Sequence, residues 1–331
     1  MFKVMITGAA GFVGGFLAQH CCEAGCSVLG LGVSEPGDLG QTAAFEHCDI
    51  RDTAKLSRLI STFRPDRIFH LAAQSYPTVS LIQPRETIDI NVLGTVNLFE
   101  ILRSVETMPT VVVACSSAEY GPVASQDLPV REDHLLRPLH PYGVSKVAQD
   151  LLASQYFVNY AIPSIRIRIF NTTGPGKIGD VCSDLTQRAI EIERGIRPPS
   201  LPVGSLASRR AIADVRDLVR ALWLSTERCE AGEVYNVGGE RIYSVQQIID
   251  AIRSQVGVAF SVEQDQALMR SCDEPTIAGN ISKFRRCSGW TPEIDLATTV
   301  RDMLDWWRNR LASGPTPDRQ TQDASCQTSS A

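Results

Sequence analysis

The chain has 331 residues, 44% of them apolar and 21% charged, with a formal net charge of −5 and a pI near 5.6. That acidic balance excludes broad binding to nucleic acid or to an anionic membrane, and no apolar run reaches the roughly 18–20 residues of a membrane span. The length suits two domains, or one large α/β unit with a smaller lobe.

In chain order, residues 2–7 (FKVMIT) read as a strand, 12–25 as a helix, 27–32 and 44–49 as strands, and 53–63 as a helix. Residues 67–73 (RIFHLAA) follow as a strand, 84–106 as a long helix, 110–116 (TVVVACS) as a strand, 142–160 as a helix and 164–170 (SIRIRIF) as a strand. Short strands alternating with longer helices imply right-handed βαβ crossovers and a parallel sheet. After 171 the rhythm breaks. Gly and Pro cluster at 171–179 and 194–204, and helices are expected at 214–227, 244–256 and 297–311 around a strand at 233–239. Residues 312–331 have few apolar residues and no period, so they read as a disordered tail. The expected lobes are 1–170 and 171–311, with some segments of the second returning to the first.

The opening "MFKVMITG" has neither a charged n-region nor a cleavage site, so a cytoplasmic protein is expected. The ten cysteines form no C-x-x-C pair, and no histidine lies at zinc-finger spacing. They read as reduced thiols, and no metal site is expected.

"VMITGAAGFVGGF" places Gly8, Gly11 and Gly14 after a strand and at the opening of a helix, with Phe12 and Val13 in its first turn. Glycine permits the tight turn and lets backbone amides approach a pyrophosphate, and the helix N-terminus adds partial positive charge. Residues 1–170 are therefore expected to form a Rossmann-type, doubly wound dinucleotide-binding domain, with a smaller mixed α/β lobe for substrate. In "LGLGVSEPG", Gly32 stands where an acid would bond the ribose hydroxyls of NAD, while Ser34 can touch a phosphate. The expectation is NADP(H) over NAD(H). Asp49 and Ile50 end the next strand and are candidates to frame the adenine.

"HPYGVSK" contains Tyr142 and Lys146, one helical turn apart on one face. An ammonium beside a phenol lowers its pKa and suits it to proton exchange with an alcohol or carbonyl oxygen. Ser116 and Ser117 stand at the end of an apolar strand, where such folds place ligands.

Together, "TGAAGFVG", "HLAAQS", "NVLGT", "SSAEYG" and "PYGVSK" resemble the extended short-chain dehydrogenase/reductase family, over about 1–310. That family includes nucleotide-sugar epimerases, dehydratases and reductases. The resemblance implies that Tyr142 is the acid/base, that Lys146 bonds the nicotinamide ribose, and that Ser116 holds the substrate oxygen. It implies Leu71, Ala72, Ala73 and Asn91 at the cofactor, with Gln74, Ser75 and Ser117 lining the sugar pocket. "RIFNTTGPGK", "SRRAIADVRD" and "LMRSCDEPT" resemble the GDP-mannose branch, which implies Asn171, Arg210 and Arg270 at the nucleotide sugar. Ala211, Ile212 and Ser271 depart from that branch's pattern. It also implies a homodimer, or a tetramer, joined through the helices at 84–106 and 142–160.

Dehydratases of this branch place a glutamate directly after the hydroxyl pair, where this chain has Ala118. A methyl group transfers no proton, and on a continuing strand Glu119 would point to the other face unless a bulge re-aims it. The favoured reading is reduction of a nucleotide-linked 4-keto-6-deoxy sugar. Dehydration, C4 epimerisation and non-catalytic dinucleotide sensing stay as alternatives. His70 inside "FHLAA" reads as a packed histidine.

Overall fold

The computed structural model describes residues 1–36, 43–265 and 277–312. Seven strands build its main sheet: β1 (Lys3–Thr7), β2 (Ser27–Gly32), β3 (Ala44–His47), β4 (Arg67–His70), β5 (Thr110–Ser116), β6 (Ser164–Ile169) and β7 (Val234–Val237). Their order is β7-β6-β5-β4-β1-β2-β3, and every neighbouring pair is parallel.

Side-chain alternation explains the apolar runs. On β1, Val4 and Ile6 enter one buried cluster and Met5 enters another. On β5, Val112 joins the first, while Val111, Val113 and Cys115 join the second. The first cluster is closed by helices Phe12–Glu23 (Leu17, Cys21) and Val215–Arg228 (Leu218, Leu222), and the second by helices Thr53–Phe63 (Leu56, Ile60), Gly94–Leu102 (Leu98, Phe99) and Pro141–Tyr160 (Ala153, Tyr156). A sheet covered on both faces by crossover helices favours apolar residues on both sides of its strands. This is the doubly wound Rossmann-type α/β fold.

The chain divides into two compact units. The first comprises the described residues of Met1–Thr172, Ala207–Ser244 and Arg270–Ile294, so β7 and the antiparallel pair Arg209–Ala211 with Ile242–Ser244 belong with the main sheet. The second comprises the described residues of Thr173–Leu206, Val245–Met269 and Asp295–Ala331. In it, helices Val181–Glu193, Val245–Arg253 and Leu296–Ala312 pack together, and Ser200–Val203 pairs in parallel with Ser261–Gln264. Arg308 there grips both oxygens of Glu193 at 2.8 Å.

Several elements differ from the sequence reading. The expected helix at 84–106 is helix Pro84–Ile88, a single π turn Asp89–Leu93, and helix Gly94–Leu102. Its last amides bond three residues back (Ser104 to Ile101, Val105 to Leu102), which tightens and ends it. The strand expected through 73 stops at His70, because Leu71 N and Ala72 N turn to the Thr7 carbonyl and hydroxyl. Short helices at Pro77–Ile82 and Ser282–Ser288 carried no strong period. The eight described cysteines are all free thiols. No helix among the described residues is long and apolar enough to cross a membrane.

Candidate active site

At the end of β1 the chain turns through Gly8, at φ +76°, into the helix that begins at Phe12. A Cβ on Gly8 would lie 2.8 Å from Ala72 N, and one on Gly14 would lie 2.2 Å from Gly8 O. Glycine is thus required for β1, its helix and the segment after β4 to approach one another. Gly11 caps the helix without any side-chain hydrogen bond, and the first turn holds no acid. Phe12 and Val13 occupy that turn, and Leu71, Ala72 and Ala73 run alongside. A helix N-terminus with no acid in its first turn, opening from a turn of glycine and alanine, fits a pyrophosphate.

His70 is buried between Thr7 Oγ1 (2.8 Å from Nδ1) and Thr95 Oγ1 (2.9 Å from Nε2), with Gln149 donating to the same Thr95 oxygen at 2.7 Å. Burial, then the Lys146 charge, push the imidazole down to about 3, so it is neutral. His70 is a packed histidine tying β1 and β4 to the covering helices.

Asn91 sits in the π turn, fully buried. Its Nδ2 donates to Gln74 O (3.0 Å) and Ser145 Oγ (2.8 Å), and its Oδ1 accepts from Gln74 N (2.7 Å). Ser145 Oγ donates in turn to Tyr142 O at 2.7 Å. Asn91 therefore clamps the Gln74 backbone to the Tyr142 helix. The Gln74 side chain closes on its own loop at Tyr76, and Ser75 is exposed.

β5 ends at Ser116, and a 3-10 turn, Ser117–Glu119, follows. Ser116 Oγ accepts from Ala118 N at 3.2 Å, and the same side chain stands close enough to Tyr142 to favour its phenolate. Tyr142 lies in the first turn of helix Pro141–Tyr160, capped by His140, whose Nδ1 accepts from Gly143 N at 3.0 Å. The His140 and Tyr142 rings stack, 5.9 Å apart at 19°. A Cβ on Gly143 would meet Ala118 O at 2.7 Å, so glycine here lets helix Pro141–Tyr160 seat against the turn after Ser116. The Lys146 ammonium stands 5.8 Å from the centre of the Tyr142 ring and donates to Ala114 O at 2.8 Å.

The structure thus brings Ser116, Tyr142 and Lys146 together, with one correction to the electrostatics. Burial pushes Tyr142 up to about 12 against the pull of Ser116, and burial lowers Lys146 to about 8. The lowering of Tyr142 expected from Lys146 is not seen, because desolvation outweighs it and the ammonium is engaged on the β5 carbonyl.

The family model described as GDP-mannose 4,6 dehydratase matches residues 5–303. The chain belongs to the GDP-mannose 4,6 dehydratase family. It is an NAD(P)-dependent enzyme of the extended short-chain dehydrogenase/reductase type. It is 29% identical over 310 residues to the GDP-6-deoxy-D-mannose reductase of Pseudomonas aeruginosa, covering 93% of this chain and 98% of that protein. It is 26% identical over 349 residues to the GDP-mannose 4,6-dehydratase of Vibrio cholerae, covering 91% and 92%. The solved structure of RMD from Pseudomonas aeruginosa complexed with NADPH superposes with a TM-score of 0.83 at 27% identity, covering 94% of this chain and all of that one.

The remaining candidates of this family member are spread more widely. Ser34 is exposed beyond β2. Asp49 is held by Arg51 through its backbone N (2.8 Å) and guanidinium (2.7 Å), which lowers its carboxyl below the usual range. Ile50 packs where a Cβ on Gly94 would collide, 2.5 Å away. Asn171 follows β6, and its Nδ2 is buried with no hydrogen-bond partner among the described residues, an orphan donor suited to a ligand oxygen. Arg210 lies on strand Arg209–Ala211 and donates to Arg209 O at 2.8 Å. Asp214 and Asp217, in the same family motif, are structural. Asp214 caps helix Val215–Arg228, and Asp217 accepts from Glu293 N and Ile294 N at 2.9 Å. Arg270 and the tail from 313 lie outside the described residues.

Sequence reasoning missed Glu119, Asp150 and Arg168 as one buried group behind Ser116. The signal was present: Ser116-x-x-Glu119 has the spacing of a capping box, and Asp150 follows Lys146 by one helical turn.

Proposed function

We propose that this enzyme reduces a nucleotide-linked 4-keto-6-deoxy sugar of the GDP-4-keto-6-deoxymannose type. The observation that carries this reading is the acid/base inventory at the end of β5. Ala118 offers no proton, and Glu119 is turned into the protein with its Oε1 bound to Ser116 N at 2.7 Å. Dehydration needs a second acid/base for the C5 proton and the leaving C6 hydroxyl, whereas ketone reduction needs one proton donor.

When bound, a reduced nicotinamide dinucleotide supplies the hydride. Gly8, Gly11 and the amides of Phe12 and Val13 would hold its pyrophosphate, and Lys146 its nicotinamide ribose. Ser116 Oγ orients the C4 oxygen, and the Tyr142 hydroxyl gives that oxygen its proton. A phenol raised to about 12 is protonated at neutral pH, which suits it to donate rather than to abstract. The Lys146 ammonium stabilises the tyrosinate left behind. The orphan Asn171 amide faces a phosphate or sugar oxygen of the substrate, with Arg210 and Arg270 as further phosphate partners.

NADP(H) is the proposed cofactor form, since β2 ends without an acid that would repel a 2′-phosphate. A homodimer is the proposed assembly, since Leu93, Leu151 and Val158 are exposed apolar residues on the two helices that would form its interface.

The test is NADPH consumption with 4-keto-6-deoxy sugars carrying GDP, CDP or dTDP, with product stereochemistry by NMR. Turnover of the GDP sugar is expected. Conversion of GDP-mannose to its 4-keto-6-deoxy product by the protein alone would sink the reductase reading in favour of the dehydratase that gives the family its description.

A further inference from the structure

Glu119 is fully buried. Its Oε1 accepts from Ser116 N at 2.7 Å while Ser116 Oγ accepts from Ala118 N, a reciprocal capping box on the last residue of β5. Its Oε2 lies 3.2 Å from Arg168 Nε as an ion pair, while the hydrogen bond of that nitrogen goes to Asp150 Oδ2 at 2.8 Å. Arg166 takes the other Asp150 oxygen at 2.8 Å. Arg168 is itself fixed by the Tyr120 hydroxyl (2.9 Å) and Glu132 O (3.0 Å). The Cys115 thiol completes the group, with Cys115, Glu119 and Asp150 offering atoms within 4.8 Å of one another.

An ordinary capping box works with its carboxylate in water. Here two carboxyls share one guanidinium nitrogen in a dry interior, an arrangement that is costly to bury. It sits directly behind the residue whose hydroxyl meets Tyr142.

We propose that Glu119 is a positioning residue: through the Ser116 amide it fixes the Ser116 hydroxyl against Tyr142, and through its charge it biases the Tyr142 phenol. Burial, reinforced by Asp150 and opposed by Arg168, brings Glu119 up to about 8. Above that pH its negative charge disfavours the Tyr142 phenolate, and it favours the charged form of Lys146. The inference rests on the reading that Ser116 and Tyr142 handle the reacting oxygen, but one of its readouts needs no substrate.

That readout is the Tyr142 phenolate absorbance, taken against Tyr142→Phe in pH-jump experiments on the full chain so that alkaline unfolding does not intervene. Glu119→Gln removes the charge and keeps an oxygen for the Ser116 amide. Its Tyr142 midpoint should fall by about half a unit or more, with kcat within about threefold of the parent. Glu119→Ala also removes the anchor, and its kcat should fall about tenfold to a hundredfold with KM for NADPH unchanged. If the alanine variant does not fold, Glu119→Asp, one methylene too short to reach the amide, replaces it. An unmoved Tyr142 midpoint in the glutamine variant overturns the proposal, as does equal kcat in the glutamine and shortened variants. If the parent turns over no keto sugar, the proposed function fails, while the Tyr142 titration still decides the role of Glu119.

Discussion

Two strand ends on the same edge of the sheet solve the problem of burying polar groups in opposite ways. At the end of β1 the site is backbone: Gly8 and Gly14 remove side chains so that the turn, its helix and the segment after β4 can approach closely. The nearby buried His70 is neutral, shared by two threonines. At the end of β5 the site is side chain: Ser116, Tyr142 and Lys146 stand in front of a charged interior of Glu119, Asp150, Arg166 and Arg168. A backbone site needs only space and local conformation. A side-chain site needs distant residues to arrive in register with the correct charge.

The contrast breaks most visibly at the phenol. Tyr142→Phe removes the proposed proton donor and should lower kcat by about 10²–10⁴-fold, with dinucleotide affinity retained because the β1 end is untouched. Steady-state kinetics and a binding titration check the two halves, and lost binding would mean that the two ends are not separable. Next comes Gly14→Ala, whose methyl would meet Gly8 O at 2.2 Å. Displacing that turn should weaken NADPH about 10²-fold, read by calorimetry, while Tyr142 titrates as before. An affinity within threefold of the parent would show that the turn relaxes without consequence.

Smaller effects concern stability. His70→Ala removes the buried imidazole that bridges the Thr7 and Thr95 hydroxyls and should cost about 1–3 kcal/mol in urea unfolding.

The finest test is the sign of the pH dependence. His70 is lowered to about 3 from an ordinary 6.5, so between those values the unfolded chain binds the proton that the folded chain refuses. Its contribution makes stability fall as pH drops through that window. Glu119 is raised to about 8 from 4.5, so the folded chain keeps a proton that the unfolded chain releases. Its contribution makes stability fall as pH rises from 4.5 to 8. Urea midpoints across pH should therefore lose an acid-side slope in His70→Gln and a neutral-side slope in Glu119→Gln. Parallel curves for both variants and the parent would abolish the contrast.

Much of this was readable before any coordinates. The apolar runs of β1 and β5 announced strands covered on both faces, because doubly wound sheets leave little room for water at their strands, and β6 announced itself by alternation. The spacing of Gly8, Gly11 and Gly14 announced a tight strand-to-helix turn, and Tyr142 and Lys146 announced one helical face. Short or interrupted elements were less readable. The π turn at Asp89–Leu93 depends on where Asn91 finds Gln74 and Ser145, and no local period records that. β7 joins the main sheet from a segment beyond 207, because its partner β6 supplies an open edge.

By itself, then, the sequence determined what is set over a few neighbouring residues: strand and helix periodicity, the glycine turn, the hydroxyl pair and the tyrosine–lysine face. Only the tertiary structure decided what "SSAE" does. β5 ends at Ser116 rather than running on, and the following turn folds Glu119 inward. Its ion-pair partner Arg168 comes from another strand, and Asp150, which shares that guanidinium, from another helix. Whether a carboxylate faces substrate or core depends on where its counter-charge lies, and a guanidinium 49 positions along the chain is invisible to local pattern.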